Sequence, residues 1–178
     1  MLSHLLAIPF PEWLTNFDLG VDNFIQEHLR TTFGDIFFKI ITTLGDGGFV
    51  WIGLAVLFMC FKKTRKIGIT MGIALILGAI VGNGILKNVF QRPRPYMTPG
   101  GDLWPGIVDY PSEYSFPSGH TLSSFAASTA IFCYNKKYGA PALVLAALIA
   151  LSRLYVYVHF PTDILAGTIL GILCGVAA

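Results

Sequence analysis

The chain carries its apolar residues in long runs and gathers its charges into short clusters between them, and that alternation limits the folds open to it. Residues 49–61, 67–86, 121–134, 138–152 and 164–178 contain no Asp, Glu, Lys or Arg. A bilayer core takes about 20 apolar residues in a helix, which satisfies every backbone N–H and C=O within the segment. Charged residues make up only 12% of the 178 positions, against 54% hydrophobic, and the mean hydropathy is +0.65. Soluble domains carry about 25% charged residues. The expected class is therefore all-α and integral to a membrane, a bundle of about five spanning helices. These fall near 34–61, 67–90, 119–134, 138–158 and 160–178. The first is long or broken, because Asp35 and Lys39 lie within it and Gly45-Asp46-Gly47-Gly48 interrupts it. Residues 34–178 form one transmembrane domain, preceded by an N-terminal arm at 1–33.

In the arm, residues 2–8 are too short an apolar stretch to span. The first ten residues lack a basic flank and are broken by proline, so no cleaved signal peptide is expected. From Asp18 to Arg30, Val21, Phe24, Ile25 and Leu29 share one helical face, and Asp22, Asn23, Gln26 and Glu27 fill the other. This is the pattern of an amphipathic helix at the membrane interface, or of a surface helix packed on the protein. Residues 62–66 and 135–137 hold six Lys/Arg and no acid. With alternating spans both turns fall on one side, which the positive-inside rule makes cytoplasmic. The arm, the loop 91–117 and the stretch around residues 152–163 then face outside, which for a bacterial cell means the outer face of the plasma membrane. The net charge of +2 and the scattered basic residues exclude a nucleic-acid surface. Cys60, Cys133 and Cys174 have no paired spacing, so neither a disulfide framework nor a zinc site is expected.

Three clusters break the apolar pattern at the outer ends of spans, where ionisable groups are costly and read as functional. The first runs from Lys87 to Arg92-Pro93-Arg94-Pro95. Each arginine precedes a proline, which favours an extended backbone, and guanidinium forks suit phosphate oxygens. The plain alternative for Lys87 is snorkelling to the headgroups. The second is Pro117-Ser118-Gly119-His120, where free N–H groups at a helix N-terminus, a glycine and a hydroxyl favour an anion. A helix cap with an interfacial histidine is the plain alternative. The third is Ser152-Arg153 with His159 and Asp163, a spacing that lets the carboxylate hold the imidazole in one tautomer and sharpen its other nitrogen. A buried structural His–Asp pair is the alternative there. Together the cations and N–H groups match the charge of a transferring phosphoryl group. Asp163 is the only carboxylate in the three clusters, so no ligand set for a metal accompanies them, and no metal or other cofactor is expected.

Read as K-x6-R-P, P-S-G-H and S-R-x5-H-x3-D, the clusters resemble the signature of the type 2 phosphatidic acid phosphatase family, which shares its motifs with vanadium haloperoxidases and bacterial acid phosphatases. Lys87, Arg94-Pro95, Pro117 to His120, Ser152-Arg153, His159 and Asp163 match in type, order and spacing. The resemblance implies a membrane lipid phosphatase. In it His159 attacks phosphorus to form a phospho-histidine, Asp163 orients His159, and His120 protonates the leaving oxygen and then helps activate water. Lys87, Arg94, Ser118, Gly119 and Arg153 would bind phosphate. The implied partners are a lipid phosphate and membrane lipids. Membrane members commonly have six spans, and the first seen there has no counterpart among these. A polyprenyl diphosphate, phosphatidylglycerol phosphate or phosphatidic acid are the expected substrates. Transfer of the phosphoryl group to a second lipid, and a non-catalytic lipid binder or scramblase, stand as alternatives. Arg92, Tyr96 and Tyr110, with the aromatic loop 96–116 that includes Trp104 and Tyr114, are expected to shape the headgroup pocket. Gly167, Gly171 and Gly175 recur every four residues in the last span, which permits close helix packing.

Overall fold

A computed structural model describes residues 10–109 and 111–178; residues 2–8 and Tyr110, both given roles above, lie outside the described residues. Among the described residues all regular structure is helical, with no strand. Its helices are α1 (Glu12–Phe24), α2 (Thr32–Leu44), α3 (Phe49–Cys60), α4 (Arg65–Gly78), α5 (Lys87–Phe90), α6 (Gly119–Tyr134), α7 (Lys136–Tyr155) and α8 (Pro161–Ala177). A wide-turned stretch, Ala79–Leu86, carries α4 into α5 without a break. That rod and α7 are long and apolar enough to cross a membrane, and α2 with α3 makes a third candidate if the pair, bent by 40°, is one span. Large apolar side chains face outward along these helices, among them Phe49, Ile76, Val144, Leu165 and Val176. A water-soluble bundle would hide them, so this is an integral membrane protein.

Helix α6 is the centre of the bundle, in contact with α8, α7 and α4. Its small residues make that possible: Ala126, Ala127 and Ala130 are fully buried, beside Trp51, Met71 and Ile149. The buried indole N–H of Trp51 donates to Ser124 Oγ at 2.9 Å, so this polar group is satisfied inside the core. The four-residue glycine recurrence in α8 is used within the chain. A Cβ at Gly167, Gly171 or Gly175 would lie 2.9, 2.6 or 2.6 Å from a carbonyl oxygen of α6 or its N-cap. The two backbones therefore touch, and the first turn of α8 is held level with the start of α6.

The N-terminal helix is turned polar side in. Asp18 and Asp22 are buried with Leu19, whereas Trp13, Phe17, Phe24 and, beyond the helix, Leu29 are exposed. An ordinary surface helix packs its apolar face inward, whereas here the acids face the bundle. The reason is electrostatic. Arg92, buried in the bundle between the rings of Phe10 and Phe160, takes Asp18 Oδ2 at 2.6 Å. Tyr157 donates to Asn23 Oδ1 from the same side.

Candidate active site

The break between α2 and α3, the α5 end, the start of α6 and the turn between α7 and α8 meet at one end of the bundle around a cavity of about 790 Å³. Lys87, Arg94, Gly119, His120, Arg153 and His159 all line it. Six of the eight residues picked out by the three motifs therefore share one space, though Lys87 and His159 are 72 positions apart.

Each is placed for a local reason. Lys87 opens α5 and is only 8% exposed; its amine pairs with the Glu113 carboxylate of the long loop. Arg94 is extended, as expected of a residue before proline. Its Nε donates to Glu113 O at 2.8 Å and its Nη1 to Val158 O at 2.7 Å, while Nη1 also lies 3.3 Å from His159 Nε2. Arg94 thus fastens the loop to the histidine turn. Arg153, near the end of α7, hydrogen-bonds Thr42 of α2 and keeps a buried Nε with no partner.

The start of α6 and the first turn of α8 are stitched together by Ser118 N–H donating to Asp163 O at 3.2 Å. Pro161 occupies the first turn of α8, where its missing N–H costs nothing. His159 is 2% exposed. Burial, reinforced by Arg94, Arg153, His120 and Lys87, holds its imidazole well below the ordinary histidine range. Its Nδ1 lies 3.5 Å from Asp163 Oδ2, long for a hydrogen bond, and has no closer partner.

Ser118 and Asp163 stand behind the cavity rather than in its wall. Ser118 Oγ serves as the N-cap of α6, accepting from Thr121 N at 3.5 Å and Thr121 Oγ1 at 3.0 Å. Asp163 is held from two sides: Arg92 Nη1 donates to Oδ1 at 2.7 Å and the Phe160 N–H to Oδ2 at 3.0 Å. Arg92 therefore supports the site from behind and does not shape its mouth.

The loop lines the cavity with Ile107, Asp109, Ser112 and Glu113. Its aromatic residues do other work, against expectation. Tyr96 and Trp104 meet edge to face at 4.6 Å and pack against the Tyr155 to Val158 turn, and Tyr114 donates to Gln91. Three carboxylates that motif spacing missed reach the cavity, Asp46, Asp109 and Glu113, and two of them meet a motif residue. Glu113 pairs with Lys87, and hydrogen bonding to that amine holds it below the usual carboxylate range. Asp46 Oδ1 lies 2.8 Å from His120 Nε2, within hydrogen-bond reach. Asp46 had one signal in the sequence, an acid at the glycine-rich interruption of a candidate span.

The chain is similar to known proteins over most of its length. The model of the PAP2 superfamily matches residues 66–178. The undecaprenyl-diphosphatase of Sulfolobus acidocaldarius is 38% identical over 126 residues, 69% of this chain and 59% of that protein. The bacitracin transport permease protein BcrC of Bacillus licheniformis is 33% identical over 127 residues, 70% of this chain and 61% of its own. The chain thus aligns with about three fifths of the length of these relatives. The crystal structure of Aquifex aeolicus LpxE superposes with a TM-score of 0.72 at 28% identity, covering 90% of this chain and 93% of that one. A PAP2-type phosphatidylglycerolphosphate phosphatase from Bacillus subtilis shares the fold, with a TM-score of 0.76 over 98% of this chain and 87% of that one at 24% identity. The matched family region takes in every motif residue that meets at the cavity, and the chain belongs to the PAP2 superfamily.

Proposed function

We propose that the protein is a membrane lipid phosphatase that removes a terminal phosphate through a phospho-histidine. The observation that carries this reading is the gathering of Lys87, Arg94, Arg153 and two histidines around one cavity. The three cations and the N-terminal N–H groups of α6 hold the phosphoryl oxygens. With its pKa held down by burial and cations, His159 is neutral at pH 7 and has a lone pair to use. Its Nε2 attacks phosphorus, the bond to the leaving oxygen breaks, and His120 gives that oxygen a proton. Water then attacks phosphorus, its proton goes to His120, the P–N bond breaks, and phosphate leaves. Asp163, steadied by Arg92, supports the Nδ1 side of His159 throughout.

The same reading sets the protein in the membrane with about five spans, both basic turns inside and the cavity at the outer face of the plasma membrane. Helix α1 lies at the interface, its exposed Trp13 and Phe17 toward lipid and its acids toward Arg92. Candidate substrates are a prenyl diphosphate, phosphatidylglycerol phosphate and phosphatidic acid. The test is phosphate release from these three lipids in detergent, with and without a chelator. His159→Ala should lose at least about 10³-fold in rate and His120→Ala about 10²–10⁴-fold, both still eluting as folded protein. Undiminished release by His159→Ala would end the phospho-histidine mechanism.

A further inference from the structure

We propose that Asp46 is the positioning residue for His120, so that the site holds two carboxylate–imidazole pairs, one for the nucleophile and one for the general acid–base. This rests on the phosphatase reading above. The family signature assigns an acid only to His159. The second pair is visible only in three dimensions, since Asp46 and His120 are 74 positions apart.

The contact is built, not incidental. Asp46 sits in the break between α2 and α3, where Gly47 and Gly48 adopt φ of +56° and +67°. Residues with a side chain rarely adopt such angles. Irregular backbone at membrane depth is tolerated where it lines a cavity, and Gly45, Asp46, Gly47 and Gly48 all line this one. The break also makes room for the ring: a Cβ on Gly45 would lie 2.7 Å from His120 Cδ2 and 2.8 Å from Ile149 Cγ2. Asp46 Oδ1 then meets His120 Nε2 at 2.8 Å. The other ring nitrogen, Nδ1, is the one left for substrate and water.

His120 needs this help because of its surroundings. Arg153 of α7, Arg94 of the long loop and Lys87 of α5 line the same cavity, as does His159. Positive charge around an imidazole opposes a second positive charge on it. Glu113 is paired with Lys87. Asp46 is the one acid among the described residues in direct contact with the ring. In the first step His120 must carry a proton for the leaving oxygen, and in the second it must take one from water. A carboxylate on Nε2 stabilises the imidazolium in both.

The test compares Asp46→Asn and Asp46→Glu with the parent protein in detergent, over pH 5 to 9, on whichever lipid phosphate the parent hydrolyses. Asp46→Asn should lower kcat by about 10²-fold and move the alkaline limb of the kcat–pH profile to lower pH. Asp46→Glu should recover much of the rate and return the limb toward its parental position. Inhibition by orthovanadate, a probe of the phosphate cradle alone, should change less than about threefold in Asp46→Asn. A lower kcat with an unmoved limb, or vanadate binding lost in step with kcat, would assign Asp46 a structural role and overturn the proposal. Parental kcat and pH profile in Asp46→Asn would overturn it as well, while leaving the phosphatase reading intact. If the parent releases phosphate from none of the lipids, the phosphatase reading fails and the Asp46 proposal fails with it.

Discussion

At the scale of single residues, the back of the site surrounds one guanidinium with more acid than it needs. Arg92 binds Asp18 and Asp163, and Thr162 donates a further bond to Asp18. Asp22, one turn along α1, is fully buried and neither of its oxygens has a partner. Burial, then repulsion from Asp18 and Asp163, pushes it up to about 9 against the pull of Arg92. An unfolded chain ionises the same group at about pH 3.9. Across the window between these values the folded protein binds a proton that the unfolded chain has released, so stability falls as pH rises through it. Asn is neutral and of the same shape. Asp22→Asn should therefore raise the melting temperature at pH 7.5. The gain in stability is on the order of 2–4 kcal/mol, since a tenfold difference in proton affinity is worth about 1.4 kcal/mol. It should shrink toward pH 4, where the acid is neutral in the fold and half-protonated in the unfolded chain. Melting in detergent across that range checks it; a gain that does not depend on pH would mean that Asp22 is already ionised in the fold.

At the scale of elements, the decisive joint is α8 on α6. It sets the height of Asp163 and His159 against that of Ser118 and His120, and the Ser118 N–H to Asp163 O bond reports its closeness. A methyl at Gly171 would lie 2.6 Å from Leu122 O and 2.7 Å from Phe125 Cβ. Gly171→Ala should cost about 1–3 kcal/mol through overpacking and should reduce phosphate release as the motifs separate. Gly53→Ala and Gly72→Ala meet nothing within 4 Å and should be neutral or gain about 0.5–1 kcal/mol from helix propensity. Thermal melts and phosphate release on the three variants decide it; equal effects at all three would show that the α6–α8 contact does not set the site. This joint was legible in the sequence because a small residue every four positions is a local pattern. Also legible were the motif residues, since a charge in an apolar run declares itself wherever it lies. The inward face of α1 was not: periodicity shows that a helix has two faces, but the choice depended on Arg92, which lies 74 positions from Asp18. The Asp46–His120 contact was hidden for the same reason. The helix cap that the sequence offered as the plain alternative at Ser118 is present, since its oxygen accepts from Thr121 N.

For the molecule as a whole, the distribution of charge supports the proposed orientation. The exposed lysines at 62–63 and 136–137 lie in turns at one end of the bundle, and the cavity loop with exposed Ser112 and Glu113 lies at the other. Basic turns stay on the cytoplasmic side because translocating Lys and Arg is disfavoured. In the proposed orientation the cavity would receive its substrate from the outer leaflet and would release phosphate outside the cell. Single cysteines test this. In a background with Cys60, Cys133 and Cys174 replaced by serine, Ser112→Cys should react with a membrane-impermeant maleimide on intact cells. Lys63→Cys and Lys137→Cys should react only after the membrane is opened. Labelling of Lys63→Cys from outside would invert the protein and put the phosphatase chemistry in the cytoplasm. Labelling of Lys63→Cys and Lys137→Cys from opposite sides would break the alternation of spans on which the about-five-helix arrangement depends.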